Sequence, residues 1–360
     1  MKSEEKVLLR GIEAIGEAAL RAGCRCYFGY PITPQNELPE YMARRMAEIP
    51  GAVFLQSESE LAGINMVFGA SVTGTRVMTS SSSPGMSLMQ EGISYLAACE
   101  LPAVIVNIIR GGPGLGNIAP AQSDYFQATR GGGHGDYRCI VLAPAYLQEA
   151  VDLTYHAFDQ ADEYRIPVVI VGDGMMGQMM EPVVLPPFRE QLPKKDWAIR
   201  GAGGGQSRFL RSLLLDVHVL EAHNWKLHRK YERIRRREVR FDEYETQDAE
   251  LVIVAYGTAA RIARGAVKRL REKGMKVGLF RPVTLWPFPG EALRNLAARV
   301  GRFFVFEFST GQMVEDVRLA LEGRRHIDFY GRPGGVVITP MELSRIVARK
   351  YHAIQQEART

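Results

Sequence analysis

Short apolar runs alternate with longer segments of helical spacing through the first half of the chain. Arg25–Gly29, Val53–Ser57, Arg76–Thr79, Ala103–Ile109, Cys139–Leu142 and Pro167–Gly172 are rich in β-branched and apolar residues and end near Gly, Pro or Ser. They read as strands buried on both faces, which is how parallel sheets are written. Between them, Val7–Ala22, Asn36–Glu48, Glu60–Ser71, Ser87–Ala98 and Leu147–Ala161 carry helical periodicity, so the N-terminus runs straight into an amphipathic helix. Strand–helix alternation with right-handed crossovers predicts an α/β fold with an open parallel sheet.

The pattern breaks at Pro182, Pro186 and Pro187. A glycine run, Gly201-Ala202-Gly203-Gly204-Gly205, and a charged helical stretch ending in Arg233-Ile234-Arg235-Arg236-Arg237 follow. Alternation then resumes. Leu251–Tyr256, Val277–Arg281 and Phe303–Phe306 read as strands, and Ala259–Lys273, Glu291–Ala298 and Gln312–Leu321 as helices. The expected division is an α/β domain over 1–187, a basic helical linker over 188–246 and a second, smaller α/β domain over 247–360.

Composition narrows this picture. A 360-residue chain with 46% hydrophobic and 24% charged residues is globular, not disordered, collagenous or a coiled coil. No apolar run reaches the roughly 18 residues that a membrane helix needs. The net charge of +5 and the pI of about 9.0 raise the question of nucleic acid. That charge is local: Arg189 to Glu243 holds 14 Lys and Arg against 8 Asp and Glu, a net of +6, which leaves the remainder at −1. Apart from the cluster Arg233–Arg237, no aromatic interleaving or RNA-binding motif supports a nucleic-acid module. The segment is expected to be a surface helix facing a sister subunit or an acidic electron carrier, with plain solvation as the bland alternative. Four cysteines without a C-x-x-C pair encode neither a disulfide scaffold, a zinc ribbon nor a cluster-binding run. With no signal-peptide pattern at the N-terminus, the expected compartment is a reducing cytoplasm.

Ligands of open parallel sheets bind beyond the carboxyl ends of the strands. Four successive strand ends carry small, polar or charged residues: Gly29-Tyr30-Pro31-Ile32-Thr33-Pro34, Gln56-Ser57-Glu58-Ser59-Glu60, Thr79-Ser80-Ser81-Ser82-Ser83-Pro84-Gly85 and Arg110-Gly111-Gly112-Pro113-Gly114-Leu115-Gly116. The glycine turn Gly112–Gly116 follows the fourth strand rather than the first. It is therefore read as a close-approach turn and not a dinucleotide fingerprint. His218, His223 and His228 recur every five residues and do not share a helical face, so they suggest no metal site.

The strings GYPITPQNELPEY, LQSESELAGINMVFGA, MTSSSSPGMSLMQEGISYL, NIIRGGPGLG and PAQSDYFQATRGGGHGDYR resemble the alpha subunit of 2-oxoacid:ferredoxin oxidoreductases. The branched-chain type, acting on 2-oxoisovalerate (3-methyl-2-oxobutanoate), is the best fit. RPVTLWPFP and FFVFEFSTGQMVEDV look like the transketolase carboxy-terminal type of domain. The resemblance implies a thiamine-diphosphate pyrimidine-binding domain and oxidative decarboxylation of a 2-oxoacid to acyl-coenzyme A, with electrons passed to ferredoxin. It also implies that the cofactor is shared with a beta subunit, and that magnesium and iron–sulfur clusters sit on partner chains, including gamma- and delta-type subunits. Gly172-Asp173-Gly174 looks like the start of the thiamine-diphosphate magnesium motif, but no Asn pair follows near Trp197–Arg200, so it is read as a strand-end turn with no metal site. A non-oxidative thiamine-dependent decarboxylase or transketolase-like half is the alternative within this chemistry.

Residue by residue, the resemblance makes Glu58 the acid beside the cofactor's pyrimidine ring, where a carboxyl in an apolar cleft suits proton transfer. Glu60 is read as structural, favoured in the first turn of a helix. Thr33 matches a substrate-contacting hydroxyl, with turn formation as its competing role. Arg110 matches the arginine that meets the substrate carboxylate through its planar fork. Tyr30, Pro31, Ile32, Ser57, Ser82 and Ser83 are expected to line the cofactor pocket, with helix N-capping sufficient to explain at least one of the serines. His134, in a glycine turn, is read as a surface or interface residue.

Overall fold

The computed structural model describes residues 5–201 and 207–357, so most of the glycine run (202–205) lies outside the described residues. The chain begins with β1 (Lys6–Arg10), α1 (Gly11–Arg21), β2 (Cys26–Gly29), α2 (Glu37–Met46), β3 (Val53–Gln56), α3 (Glu60–Val72), β4 (Val77–Ser81), α4 (Ser83–Ala98) and β5 (Ala103–Ile109). It continues through α5 (Tyr125–Arg130), β6 (Ile140–Leu142), α6 (Leu147–Tyr164), β7 (Pro167–Asp173), α7 (Gly174–Gln178), β8 (Met180–Val184), α8 (Val217–Arg237) and β9 (Phe241–Tyr244). The last part holds β10 (Leu251–Val254), α9 (Gly257–Arg271), β11 (Val277–Pro282), β12 (Thr284–Trp286), α10 (Gly290–Ala297), β13 (Arg302–Glu307), α11 (Met313–Leu321), β14 (His326–Gly331) and α12 (Pro340–Glu357).

Seven strands form the larger sheet in the order β12-β6-β7-β5-β4-β2-β3, and five form the smaller in the order β14-β13-β10-β11-β9. Within these two sheets every pairing is parallel except β12 with β6 and β9 with β11. Both exceptions are short strands at sheet edges, where an antiparallel addition needs no crossover helix. β5 and β7, at the centre, are apolar and almost wholly buried. Each such side chain contributes about 2 kcal/mol by leaving water. Helices α1, α2 and α6 pack together, and so do α3 and α4.

Three expectations are corrected. Val7–Ala22 is not one helix: Lys6–Arg10 is a strand pairing antiparallel with β8, and the helix starts at Gly11. A Cβ at Gly11 would lie 2.1 Å from the Met176 carbonyl oxygen, so the chain there is pressed against the α7 backbone. Second, β3 is not buried on both faces. It is the sheet edge, with Val53 and Leu55 exposed. Third, α4 begins at Ser83 rather than Ser87, with Pro84 in its first turn, where a missing N–H costs nothing.

The sheets meet along a polar seam built around Gln122. Its N–H donates to the Phe308 carbonyl, its Oε1 accepts from the Phe308 N–H and its Nε2 donates to the Tyr256 carbonyl, each at 2.9 Å. The Tyr256 hydroxyl donates to the Gln122 carbonyl at 3.2 Å. Further along, Gln312 donates to the Ser123 carbonyl and accepts from the Phe126 N–H, and Tyr125 donates to Asp316 at 2.6 Å. α8 lies on the surface. It is pinned by Lys226 and Lys230 to Glu100 and by His223 to the Ala98 carbonyl.

Candidate active site

The four loaded strand ends belong to β3, β2, β4 and β5, which are consecutive neighbours in the sheet. Their carboxyl ends therefore form one continuous edge. From β2 the chain crosses outward to β3, then returns past β2 to β4, which opens a crevice between the loops after β2 and β4. Tyr30, Pro31 and Thr33 are exposed on one side of that crevice, with Ile32 half-buried among them. Ser82 and Ser83 lie on the other.

Local geometry separates the serines. Ser82 occupies the N-cap position of α4 but makes no side-chain cap bond, and its Oγ is buried without a partner. Capping therefore does not explain Ser82. Ser57 Oγ and Thr79 Oγ1 are likewise buried and unpartnered. A buried hydroxyl without a partner is costly, so such a group points to a ligand. Ser83 is fully used: it donates to Asp124 at 2.6 Å and accepts from the Arg110 N–H at 3.1 Å. Burial pushes the Asp124 carboxyl above its usual range, against the hydrogen bonds from Ser83 and Asn107. Ser80 is also internal, bonded to Tyr27 and Gln35.

The two acids differ sharply. Glu58 precedes α3, and its carboxylate is exposed on this chain, accepting only from Ser59 Oγ at 3.2 Å. Among the described residues no apolar cleft encloses it, contrary to the expectation. Ser59 is the N-cap, accepting from the Ala62 N–H. Glu60 is therefore in the first turn, buried, and accepts from Ser81 Oγ at 3.3 Å. A Cβ at Gly85 would meet Glu60 Oε1 at 2.2 Å, so a glycine in the first turn of α4 admits this carboxylate at the helix N-terminus.

Arg110 is buried at the end of β5. Its Nη1 donates to the Thr33 carbonyl at 2.9 Å and its Nη2 to the Leu115 carbonyl at 3.3 Å, while Nε has no partner. Among the described residues no carboxylate pairs with it. A buried guanidinium with neutral acceptors only is a cation awaiting an anion. The structure thus brings Thr33 and Arg110 together, through the backbone of the former. The Thr33 hydroxyl is left to a long bond of 3.4 Å from Asn36. The turn after Arg110 has positive φ at Gly114 and Gly116, and a Cβ at Gly116 would fall 1.7 Å from the Gly111 carbonyl oxygen.

Asp173 ends β7 and caps α7, accepting from the Met175 and Met176 N–H groups at 3.0 Å, so Gly172–Gly174 opens a helix rather than a plain turn. His134 is exposed, as expected for a surface residue. Sequence reading passed over Asn117, Gln122 and the Gly334–Gly335 turn, which fasten the loop after Arg110 to the smaller sheet. The Pro333-Gly334-Gly335 run was a turn signal that could have flagged the last of these.

The fold and this edge define a thiamine-diphosphate type of α/β assembly. A split-gene transketolase in an inactive tetramer shares the fold at TM-score 0.59 over 95% of this chain and 97% of that one, at 15% identity. The 2-oxoglutarate:ferredoxin oxidoreductase of Magnetococcus marinus, solved with 2-oxoglutarate, coenzyme A and succinyl-CoA, shares it at TM-score 0.86. That match, at 24% identity, covers 98% of this chain and 66% of the solved one.

Residues 17–201 match the family described as pyruvate flavodoxin/ferredoxin oxidoreductase, thiamine diphosphate-binding, and residues 249–343 match pyruvate:ferredoxin oxidoreductase core domain II. The ketoisovalerate oxidoreductase subunit VorB of Methanothermobacter marburgensis is 49% identical over 98% of both chains. The 2-oxoglutarate synthase subunit KorA of Methanothermobacter thermautotrophicus is 35% identical over 96% of this chain and 99% of its own. The chain belongs to the 2-oxoacid:ferredoxin oxidoreductase family and is a subunit of such an enzyme.

The residues present fit the family's cofactor. A pyrimidine ring needs a carboxylate beside a ring nitrogen and hydroxyls or backbone groups around it. Here an exposed Glu58 follows the unpartnered Ser57 hydroxyl at the end of β3, and the unpartnered Ser82 hydroxyl lies at the end of β4, across β2 on the same sheet edge.

Proposed function

We propose that this chain is the pyrimidine-binding, alpha-type subunit of an enzyme that oxidatively decarboxylates a branched-chain 2-oxoacid to its acyl-coenzyme A. Electrons pass to ferredoxin through iron–sulfur clusters on partner subunits, and a beta-type partner supplies the diphosphate and magnesium site. Residues 1–187 form the pyrimidine-binding domain, 188–246 the basic helical linker and 247–360 the transketolase C-terminal-like domain, in a cytoplasmic complex.

Thiamine diphosphate, when bound, supplies a nucleophilic carbon and an electron sink for decarboxylation. The chain's residues do the rest. Glu58 holds a proton at its carboxyl beside the ring, and its exposure here suits a site completed by a second chain. Ser57, Ser82, Tyr30, Pro31 and Ile32 hold and orient the ring, while Ser83, its hydroxyl committed to Asp124 and the Arg110 N–H, fixes the end of β5 beside them. Arg110 binds the substrate carboxylate and Thr33 its oxo end. The exposed apolar side chains Val217, Leu220 and Trp225 on α8, beside its arginines, are read as a face on which another subunit packs.

The observation that carries the substrate class is the buried Arg110 without a carboxylate partner. The branched-chain assignment draws on the likeness to the ketoisovalerate subunits. Methylene-level discrimination is worth only about 1–3 kcal/mol, so aryl, pyruvate and 2-oxoglutarate substrates belong in the same assay. The test is viologen reduction by the assembled complex with a panel of 2-oxoacids, with and without coenzyme A. Branched-chain substrates should give the highest kcat/KM, with coenzyme A required. Coenzyme A-independent release of aldehyde without viologen reduction would favour the non-oxidative reading.

A further inference from the structure

The loop that follows Arg110 is tied back on itself and across to the smaller sheet, and Asn117 makes both ties. Its N–H donates to the Gly111 carbonyl at 2.9 Å, and its Oδ1 accepts from the Ala119 N–H at 2.9 Å. Its Nδ2 donates to the Gly334 carbonyl at 3.0 Å, 217 positions away. The next residue, Gly335, has φ +90, and a Cβ there would fall 2.3 Å from the Ala119 Cβ. Two glycines thus let the backbone of the second α/β unit touch the loop.

We infer that Asn117 is a positioning residue for the 2-oxoacid: by clamping the loop to Gly334–Gly335 it fixes the Leu115 carbonyl that orients Arg110. This rests on the reading of Arg110 as the ligand of the substrate carboxylate. Arg110 has two backbone acceptors of different origin. The Thr33 carbonyl comes from the loop after β2, whereas the Leu115 carbonyl, at 3.3 Å, comes from the clamped loop. Cutting the clamp frees the second anchor and spares the first. The guanidinium keeps its place but loses its fixed plane, and bidentate carboxylate binding depends on that plane. The second α/β unit thereby acts on substrate affinity without touching substrate.

The test uses the assembled complex with 2-oxoisovalerate, coenzyme A and the inert carboxylate 3-methylbutanoate as a competitive probe. Asn117→Ala should raise KM for the 2-oxoacid and Ki for 3-methylbutanoate together, by about 10-fold. KM for coenzyme A should stay unchanged and kcat should hold within about 2-fold. Gly335→Ala should reproduce the split from the other side of the contact. In an Arg110→Lys background, Asn117→Ala should add nothing, because both act through one guanidinium. An additive double variant, or a fall in kcat with unchanged Ki, would overturn the inference. Should Asn117→Ala not fold, Asn117→Asp keeps an acceptor for Ala119 and replaces the donor to Gly334 by a charged carboxylate oxygen that repels that carbonyl; an unchanged Ki there is equally fatal. If Arg110→Lys itself leaves KM and Ki unaltered, the parent reading of Arg110 fails instead.

Discussion

Replacing Gln122 with alanine removes two hydrogen bonds from the seam between the sheets. The side chain is buried, with Nε2 on the Tyr256 carbonyl and Oε1 on the Phe308 N–H, both at 2.9 Å. The backbone bonds of residue 122 survive the change, so the loss is confined to the amide. The Phe308 N–H would be left buried without a partner, at about 1–3 kcal/mol, while the Tyr256 carbonyl keeps its bond from the Ala260 N–H and loses only a second one, at about 1 kcal/mol. The adjoining void is only ≈ 10 Å³, at the lower limit for a water, but the deleted side chain opens room for one. A water that reaches the Phe308 N–H puts the net loss at about 2 kcal/mol. For a chain of this length that is a fall of about 3 °C in Tm. Urea denaturation followed by tryptophan fluorescence suits the measurement, because Trp286 is buried on β12 where the sheets meet. Gln127→Ala is the control, since its amide reaches only Ser87 Oγ at the surface. A loss below about 0.5 kcal/mol for Gln122→Ala, no larger than an ordinary surface change, would refute the view of this seam as a satisfied polar joint.

Three further outcomes are expected. Burial alone would raise the Glu17 carboxyl, but hydrogen bonds from Arg45, Tyr41 and Arg21 together hold it below its usual range. The folded chain then binds fewer protons than the unfolded one, so this stabilisation is present above the ordinary carboxylate pKa and lost as pH falls through the folded one. Glu17→Gln should flatten the acid side of the stability–pH curve, and an unchanged slope would contradict the assignment. Arg110→Lys should raise KM for the 2-oxoacid far more than KM for coenzyme A in steady-state assays, and equal effects would count against it. Leu220→Asp with Trp225→Asp should leave the free chain's stability within about 0.5 kcal/mol, both side chains being exposed. The same pair should weaken assembly with partner subunits about tenfold or more by analytical ultracentrifugation; unchanged assembly would remove that face from the interface.

What the sequence made legible follows from how strongly each residue's environment is local. Ala103–Ile109 is bounded as expected because a seven-residue run, apolar but for Asn107 and opened by Pro102, has one comfortable fate, the middle of a parallel sheet. The strand ends were legible because small and polar residues interrupt otherwise apolar runs. β1 was not: Val7, Leu8 and Leu9 fit a helical stripe, and only pairing with β8, more than 170 residues on, makes them a strand. The edge position of β3 was hidden because strand order is a long-range property, invisible to periodicity. β12 and β9 are short antiparallel additions with no helical crossover to announce them. At the site, the resemblance named Glu58, Arg110, Ser57, Ser82 and Ser83 alike, but it could not separate the orphaned hydroxyls of Ser57 and Ser82 from the committed hydroxyl of Ser83. Whether a serine caps a helix or waits for a ligand depends on ångström-scale geometry.

The basic segment has become more definite. Its charge is carried largely on α8, a surface helix whose C-terminal arginines suit its dipole, whose buried Lys230 side chain meets Glu100 and which leaves Val217, Leu220 and Trp225 exposed. Burial lowers the Lys230 ammonium to about 8, against the attraction of Glu100. A lysine that is costly to keep charged fits a helix held to the core, and a merely solvated charged face would not bury one.

The central claim is that Glu58 is the proton-holding acid of a thiamine site completed by a second chain. It is tested most directly by the exchange of the cofactor's C2 hydrogen with deuterium, followed by quenched-flow NMR on the assembled complex. The account predicts rapid exchange in the native complex, none above the free-cofactor rate in Glu58→Gln, and none from the chain without its partner. Native-rate exchange in the Glu58→Gln complex would contradict it.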